Sequence, residues 1–502
     1  MKSLLLTNVE FVSDKEGDSI LIENGRIISI GWEEVLKYRA QATAKVINCK
    51  GFFAIPGLTD SHVHLLSYGL YKSRLDLSNA ASIEDIKKTI AEKVKRLGPG
   101  KWIIGRGWDQ EKLLEKRMPN RWDLDEVAPA NPVLLYRVCG HVAVVNSYAL
   151  KIAGIDDEAK PPLEDYLGRE DGRVNGVLYE KAIELVEKKV GKPSIREAIK
   201  AIVDVLEEAA SYGLVELHAM SVDEYEYRVL SFMSKMDMLK LRIKAYLELN
   251  VENANCGKQG EKLEICGFKV LADGSFGART AYLRAPYSDT LNVRGKLLVD
   301  LDKLTAIFEY ARGKRGKIAV HAIGDGAIEE VLKAVQRSSF RQVRLEHASL
   351  TPPDIIKEIA ELRIPVSVQP RFILSDWWIT ERLGAERTKW VYAYKSLLTH
   401  GVKVFGSSDA PVEHLNPWLG IYAAVDRGKK EGMDIWRFSN REALSLEDAL
   451  KLYLSTKDYR IKEGAKADII IVKTSPSRME EIEKNKALLT IVNGQVVYRC
   501  DI

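Results

Sequence analysis

The sequence predicts an α/β fold: a (β/α)8 TIM-like barrel with a small β-sandwich domain formed from both chain termini and an insertion over the barrel mouth. Through the middle of the chain, short apolar segments alternate with amphipathic helical segments, which is typical of a parallel sheet, either closed or doubly wound. Both ends instead alternate apolar and polar residues around Asn-Gly turns. A chain of 502 residues is also too long for one ordinary core.

The two ends of the chain predict one composite domain. Residues 1–54 contain short strands around Asn24-Gly25, and residues 460–502 contain similar strands around Asn493-Gly494. Each segment reads as several short antiparallel strands, and neither is long enough to bury a stable sheet face alone. We therefore expect the two to pair into one small β-domain. Residues 55–459 then form one inserted barrel domain.

The middle of the chain contains one strand more than an eight-stranded barrel needs. Nine segments read as strands, at 53–62, 74–77, 213–219, 242–249, 267–272, 317–323, 342–347, 364–369 and 402–408. One of them must lie outside the barrel, and the pattern does not say which. Residues 78–190 are rich in turns and tryptophans, and we interpret them as the insertion over the barrel mouth.

Histidine and aspartate stand at the ends of several predicted strands. His62 and His64 are two residues apart and therefore share one face of a strand, while His321, His347 and Asp409 each close another strand. In parallel α/β folds the carboxyl ends of the strands form the ligand site. Histidine with carboxylate and no cysteine indicates a catalytic metal site, most plausibly Zn²⁺, with Fe²⁺, Mn²⁺ or Co²⁺ as alternatives. The competing interpretation is a set of buried, hydrogen-bonded histidines.

Lys269 and Asp273 share one face of the segment KVLADGSFG. A lysine in a dry barrel loses proton affinity, and its neutral amine can add carbon dioxide to form a carbamate that bridges two cations. The alternative is that Lys269 forms an ion pair with a carboxylate such as Asp273. Position alone does not separate the two.

The order of these residues resembles the amidohydrolase superfamily. The segments KVLADGSFGARTA, HAIGDGAIEEVL, LEHASL, GHVAVVNSYAL and SSDAPV are similar to amidohydrolase family 3, which includes N-substituted formamide deformylases. The resemblance implies one or two metals, with His62 and His64 on the first, His321 and His347 on the second, a carboxylated Lys269 between them, and Asp409 as ligand and acid–base residue. It also implies hydrolysis of the carbon–nitrogen bond of a small amide by metal-activated hydroxide.

Four further residues are weaker candidates. His141 is a candidate catalytic residue, since it stands in the motif-like segment GHVAVVNSYAL, and Asn146 of the same segment is a candidate substrate contact. Arg279 could meet an anionic substrate group and Trp108 an apolar one. The structural alternatives are a solvated arginine and polar or aromatic side chains that belong to the core. The segment Pro370-Arg371-Phe372 departs from relatives that place histidine after the proline.

The charge balance and the cysteine spacing argue against several classes of partner and cofactor. The net charge of +4 gives no reason to expect nucleic acid or a membrane surface as a partner, and five scattered cysteines give no zinc knuckle. We expect a cytoplasmic protein with a small-molecule substrate, and a homodimer is compatible with the sequence. The same metal centre could instead serve a deaminase, a lactonase or a phosphoesterase, or a non-catalytic metal-binding regulatory protein.

Overall fold

The structure, a computed structural model, describes most of the chain: residues 3–12, 17–40, 43–137, 142–160, 163–251, 254–456 and 460–500. It divides into two compact units. The first comprises Met1–Tyr68 and Ile202–Ile502, and the second comprises Gly69–Ala201. Strands and helices are numbered below in chain order. None of the helices in the described ranges is both long and apolar enough to cross a membrane.

Both chain termini contribute to one seven-stranded sheet, whose strands are β1 (Ser3–Phe11), β2 (Ser19–Glu23), β3 (Arg26–Gly31), β4 (Lys45–Pro56), β20 (Ile469–Val472), β21 (Ala487–Val492) and β22 (Gln495–Arg499). Their order is β22-β21-β20-β4-β1-β2-β3. Alternate residues of these strands form one buried apolar cluster, which includes Leu4, Leu6, Ile469 and Ile471. The two termini pair as predicted, through the antiparallel strands β4 and β20, and β1, β2 and β3 are antiparallel to their neighbours in sequence. Strand β1 also pairs with β4, in parallel.

The two Asn-Gly pairs form the predicted turns. Asn24 and Gly25 have φ of 49° and 78°, and Asn493 and Gly494 have φ of 48° and 72°. Asparagine and glycine tolerate this left-handed conformation, which tight hairpins require. Each pair joins two antiparallel strands, β2 to β3 and β21 to β22.

Eight parallel strands form a nearly closed barrel, which confirms the predicted fold class: β5 (Leu58–Val63), β12 (Leu214–Val222), β13 (Arg242–Leu247), β15 (Leu263–Leu271), β16 (Lys317–Ala322), β17 (Val343–His347), β18 (Val366–Val368) and β19 (Val404–Gly406). The short strand β14 (Gly257–Lys258) pairs with β15. Strands β19 and β5 meet through the bridge between Val63 and Ala410 and through the bond from the Asp409 amide to the His62 carbonyl, 2.8 Å. This last contact brings the chain around Asp409 beside the two first histidines.

The first predicted barrel strand, 53–62, is divided between two sheets. Its first part belongs to β4 in the terminal sheet, and its second part is β5 in the barrel. The chain changes sheet at Pro56 and Gly57, where a Cβ on the glycine would lie 2.4 Å from a methyl of Val215. Only glycine fits this close approach.

Helices connect the barrel strands: α8 (Glu224–Lys235), α9 (Leu301–Gly313), α10 (Asp325–Ser338), α11 (Pro353–Glu361), α12 (Phe372–Ser375), α13 (Ile379–Thr388), α14 (Tyr394–Thr399), α15 (Pro417–Asp426), α16 (Asp434–Ser439) and α17 (Leu446–Tyr453). Helix α1 (Glu33–Arg39) packs on the terminal sheet through Leu36. Asp300 caps α9 by accepting the Lys303 amide, and Ser445 caps α17 in the same way.

The unit Gly69–Ala201 has a sheet and a core of its own. Its strands are β6 (Leu75–Asp76), β7 (Ile103–Trp108), β8 (Val133–Arg137), β9 (Val142–Val145), β10 (Leu167–Glu170) and β11 (Arg173–Tyr179), and its helices are α3 (Ile83–Leu97), α4 (Arg121–Asp125), α5 (Ser147–Ala153) and α6 (Glu180–Val190). The limits of the unit fall within α2 (Leu65–Ser73) and α7 (Ile195–Ser211). Strand β6 is therefore the predicted ninth strand that lies outside the barrel.

Candidate metal centre

His62 and His64 stand at the carboxyl end of β5, where the chain turns into α2. The His62 side chain is completely buried, whereas that of His64 is 30% exposed. Their Nε2 atoms lie 3.3 Å and 3.2 Å from the same oxygen, Oδ1 of Asp409. The i, i+2 spacing thus brings both rings to one carboxylate, as the sequence predicts.

His347 and His321 complete a row of imidazoles. The His347 ring centroid is 4.9 Å from that of His62 and 4.4 Å from that of His321, while His62 and His64 are 5.5 Å apart. His347 has a φ of 71°, so the strand β17 breaks at this residue. A positive φ at a non-glycine residue is uncommon and is often found at functional sites. The structure therefore brings together the four histidines that the sequence singled out.

Three of the four imidazoles have one ring nitrogen held by an acceptor of the protein. His62 Nδ1 lies 2.6 Å from Glu346 Oε2, His347 Nδ1 lies 2.7 Å from Gln369 Oε1, and His321 Nε2 lies 2.9 Å from the Gly274 carbonyl. The amide nitrogen of Gln369 donates to Ser407, so its oxygen faces the histidine. Each ring thus donates one N–H, and its other nitrogen presents a lone pair. Histidines that bind metals in proteins almost always have this arrangement.

Asp409 is buried and its position is determined by the backbone around it. Its φ is 58°, and the neighbouring Ser408 amide donates to Asp60 Oδ1 at 3.1 Å, the same oxygen that accepts the His62 amide at 3.0 Å. Asp60 therefore joins the end of β5 to the segment after β19. Burial opposes ionisation of Asp409, but the neighbouring His62, His64 and Lys269 lower the pKa of its carboxyl below the ordinary value.

Asp409 Oδ1 has no hydrogen-bond partner in the part of the chain that the structure describes, although it is buried. It faces His62 Nε2 at 3.3 Å. Because His62 donates through Nδ1 to Glu346, Nε2 carries a lone pair, which faces this carboxylate oxygen and also Lys269 Nζ, 3.2 Å away. A cation between the lone pair and the carboxylate oxygen would stabilise both acceptors. Potential ligand atoms of His62, His64 and Asp409 all lie within 4.8 Å of one another. These residues fit a divalent transition metal with nitrogen and oxygen ligands.

Lys269 lies inside the barrel beside this group. Its Nζ is 3.2 Å from His62 Nε2, and burial lowers the pKa of its ammonium to about 8. Asp273, the alternative ion-pair partner, instead accepts the amides of Tyr282, Ile323 and Gly324 at 2.9–3.0 Å. The carboxyl of Asp273 thus organises the loops after β15 and β16 and is engaged by backbone amides.

Burial keeps His62, His321 and His347 uncharged near neutral pH. It lowers the pKa of His321 to about 4, with the Lys269 charge as the second cause. Burial lowers the pKa of His62 and His347 well below the ordinary value of 6.5, with Lys269 and His321 respectively as the next causes. Neutral imidazole is the form that binds a metal.

Two predicted substrate residues have structural roles in the unit Gly69–Ala201. Trp108 is completely buried in its core, and its indole N–H donates to the Leu135 carbonyl at 3.0 Å. Asn146 caps α5 by accepting the Ala149 amide and also accepts the Val133 amide, both at 3.0 Å. Its amide nitrogen donates to two carbonyls, so the side chain has no donor or acceptor left for a substrate. These placements correspond to the structural alternatives.

The two other candidate site residues are His141 and Arg279. His141 lies outside the described residues, so its role remains a prediction. Arg279 lies in the loop after β15, and its guanidinium pairs with Asp289 at 2.6 Å, which largely compensates its charge. An anionic substrate would have to compete with that carboxylate.

The sequence reasoning missed four residues that hold the centre in place. Glu346 and Gln369 accept from His62 and His347, Arg344 donates to Glu346 at 2.6 Å, and Asp60 joins two strand ends. The available signal was alternation along β17, because Arg344 and Glu346 are two residues apart and share a face inside the barrel. All four are buried polar residues, which is informative in itself.

The family model described as "Amidohydrolase family" matches residues 45–498, which is most of the chain. The chain belongs to the amidohydrolase family. It is 31% identical to the putative amidohydrolase YtcJ of Bacillus subtilis, over 96% of this chain and 97% of that protein. It is 23% identical to the N-substituted formamide deformylase of Arthrobacter pascens, over 99% and 98% of the two chains.

Among solved structures, this amidohydrolase is similar to an uncharacterised metal-dependent hydrolase from Pyrococcus horikoshii OT3. The TM-score is 0.82 and the sequence identity 32%, with 95% of this chain and 98% of the other covered. The family membership that the sequence motifs implied is thus confirmed over both termini and the barrel.

Proposed function

We propose that this amidohydrolase is a metal-dependent hydrolase that cleaves the carbon–nitrogen bond of a small amide. The observation that carries the proposal is the set of converging imidazoles, three of them with one nitrogen held away from the centre, around a buried carboxylate oxygen that lacks a hydrogen bond. Family membership and the metal-dependent hydrolase similar in structure support the same activity.

The ligands divide into two groups along the row of histidines. His62, His64 and Asp409 would hold a first cation, and His321 and His347 a second, with Zn²⁺ as the expected metal and Fe²⁺, Mn²⁺ or Co²⁺ as alternatives. Lys269 lies beside His62, where its carbamate would contribute an anionic oxygen to both positions. A bound divalent cation supplies activation of water at neutral pH and polarisation of the scissile carbonyl.

Asp409 is the proposed acid–base residue. Its buried oxygen takes a proton from the attacking water and returns it to the nitrogen that leaves, so that amide and water become carboxylic acid and amine. A carboxylate serves this role because its lowered pKa keeps it ionised before attack. The backbone around Asp409 is tied to β5 through Asp60, which limits movement of the carboxylate relative to His62.

The loops that follow the barrel strands favour a substrate with an apolar group. Trp377 after β18 and Val412 after β19 are 70% and 64% exposed, and the Phe372 ring is parallel to that of His347 with centroids 6.3 Å apart. Arg371 lies 3.5 Å from Glu413 in the same loops. Apolar walls with a few polar groups are typical of small-molecule sites.

The proposed function is tested with metal-stripped protein that is reloaded with Zn²⁺ or Co²⁺ and then assayed on a substrate panel. The panel contains N-alkyl and N-benzyl formamides and acetamides, a lactone, an aminopurine and a phosphomonoester. We expect metal-dependent turnover of an amide, with its loss in His62→Asn. His400→Asn is the matched control, because this histidine stands at the end of α14 and its Nδ1 contacts the Ser396 carbonyl.

The other outcomes identify the competing functions. Turnover of the aminopurine, the lactone or the phosphoester alone would assign a deaminase, a lactonase or a phosphoesterase. Full metal loading with no turnover on any substrate would favour a metal-binding regulatory protein.

A further inference from the structure

The acceptors behind the candidate ligands differ in charge. His62 Nδ1 faces a carboxylate oxygen of Glu346, whereas His347 faces the amide oxygen of Gln369 and His321 faces a backbone carbonyl. A carboxylate withdraws the N–H proton more strongly than a neutral oxygen does, so it increases electron density on the opposite ring nitrogen. Of these three imidazoles, His62 is therefore the one whose outer partner most increases electron density on the free ring nitrogen.

Glu346 is itself held rigidly. It is completely buried, and Arg344 Nε donates to its Oε1 at 2.6 Å. The other guanidinium nitrogens of Arg344 donate to the Ser61 carbonyl at 2.9 Å and to His218 Nδ1 at 2.8 Å. The opposite charge of Arg344 makes it feasible to bury a carboxylate here without a metal. The guanidinium also contacts the peptide just before His62, so the same network holds the backbone and the ring.

The two metal positions are unequal in a second respect. The first group contains the carboxylate of Asp409 beside His62 and His64. On the second side the carboxylate of Asp273 lies 3.6 Å from His321 Nε2, but it accepts three backbone amides, which compensate its charge. Anionic ligands and charged outer partners both favour a divalent cation. Both differences therefore favour binding of a cation at the His62–His64–Asp409 position.

We propose that Glu346, anchored by Arg344, is a positioning residue for His62 and makes the His62–His64–Asp409 position bind a divalent cation more tightly than the His321–His347 position. This inference rests on the proposed function, because it assumes that the centre binds metal. Cations then occupy the centre in a defined order, the His62 position first. Outer partners of this kind change metal affinity by about 10- to 100-fold.

The experiment is a titration of the metal-free full chain with Co²⁺, followed by ligand-field absorption and by competition with a chelator. Wild-type protein is expected to bind a first equivalent tightly and a second one more weakly. Glu346→Gln keeps the size and an acceptor but removes the charge, and should weaken the first equivalent about 10- to 100-fold while changing the second less than about 3-fold. Gln369→Leu is the matched variant and should weaken the second equivalent alone.

A second variant is the control for loss of folding. Glu346→Gln leaves the Arg344 charge uncompensated, and if that protein does not fold, Glu346→Gln combined with Arg344→Met removes both charges and is expected to show the same loss of the first equivalent. Glu346→Asp keeps the charge and should restore part of the affinity. An unchanged first equivalent in a folded Glu346→Gln or double variant would overturn the inference and leave the pair as a structural ion pair.

The wild-type titration separates the two proposals. If wild-type protein binds no stoichiometric cation, the proposed function fails as well as the inference. If it binds one equivalent only, the inference requires that His64→Ala abolishes binding and that His321→Ala retains it, and the reverse pattern would overturn it.

Discussion

Glu226 gives the barrel a stability that depends on pH. Its carboxyl is buried on α8 and accepts the Leu66 amide at 3.1 Å, at the start of the helix that follows His62 and His64. Burial raises the pKa of Glu226 from 4.5 to about 8. The folded protein therefore holds a proton that the unfolded chain releases above pH 4.5. This contribution to stability is fully present below pH 4.5 and is lost as pH rises through about 8.

The size of the effect follows from the two pKa values. At 1.36 kcal/mol for each pKa unit, the change from 4.5 to about 8 corresponds to a loss of stability of at most about 5 kcal/mol. Relaxation of the protein around the charged carboxylate reduces this loss to on the order of 2–3 kcal/mol. Glu226→Gln cannot ionise. We expect the variant to be close to wild type in free energy of unfolding at pH 5 and more stable than wild type by about 2–3 kcal/mol at pH 9.

The assay is denaturant unfolding of both proteins at pH 5, 7 and 9, with the same metal loading and ionic strength. The relevant quantity is the difference between the two free energies of unfolding, since all other titrating groups are shared. Glu224→Gln is the control, because this carboxylate lies on the same helix at the surface and pairs with Arg228. A difference between Glu226→Gln and wild type that stays constant from pH 5 to 9 would show that ionisation of Glu226 does not affect stability.

The remaining predictions concern catalysis and packing. Asp409→Asn should keep fold and metal at saturating Zn²⁺ but reduce kcat by about 10²- to 10⁴-fold, and unchanged turnover would remove Asp409 from the mechanism. Asn146→Leu leaves the Val133 and Ala149 amides and the Asn131 carbonyl without this partner and should destabilise the protein by about 2–4 kcal/mol in denaturant unfolding. An unchanged stability with a raised KM would instead indicate a substrate contact. Gly267→Ala places a Cβ 1.9 Å from the Lys317 carbonyl and should cost about 3 kcal/mol or more in the same assay; equal unfolding midpoints would contradict this.

The barrel and the convergence of the four histidines and Asp409 were predictable because they depend on local pattern. Parallel strands buried on both faces are rich in apolar residues, and a polar residue that follows an apolar run stands out, as His321 does after Ile318, Ala319 and Val320. The two Asn-Gly turns are equally local. Each of these signals is contained within about ten residues of sequence.

Other features depend on contacts between distant segments and were therefore missed. Glu346 precedes His347, and consecutive residues of a regular strand face opposite sides. Only the positive φ of His347 allows both side chains to lie at the same centre, and no sequence pattern predicts that φ. The division of 53–62 between two sheets follows from packing of Gly57 against Val215. The sheet of the unit Gly69–Ala201 consists of short strands between turns, which resemble irregular sequence.

In the proposed function, the imidazoles of β5, β16 and β17 and the carboxylate after β19 surround a divalent cation. Anomalous diffraction from crystals of the Zn²⁺-loaded protein shows where a bound cation lies. We expect an anomalous peak at about 2.0–2.2 Å from His62 Nε2 and from an oxygen of Asp409, with His64 completing the position. Stoichiometric zinc located on other residues, with these side chains directed away from it, would rule out the proposed metal centre.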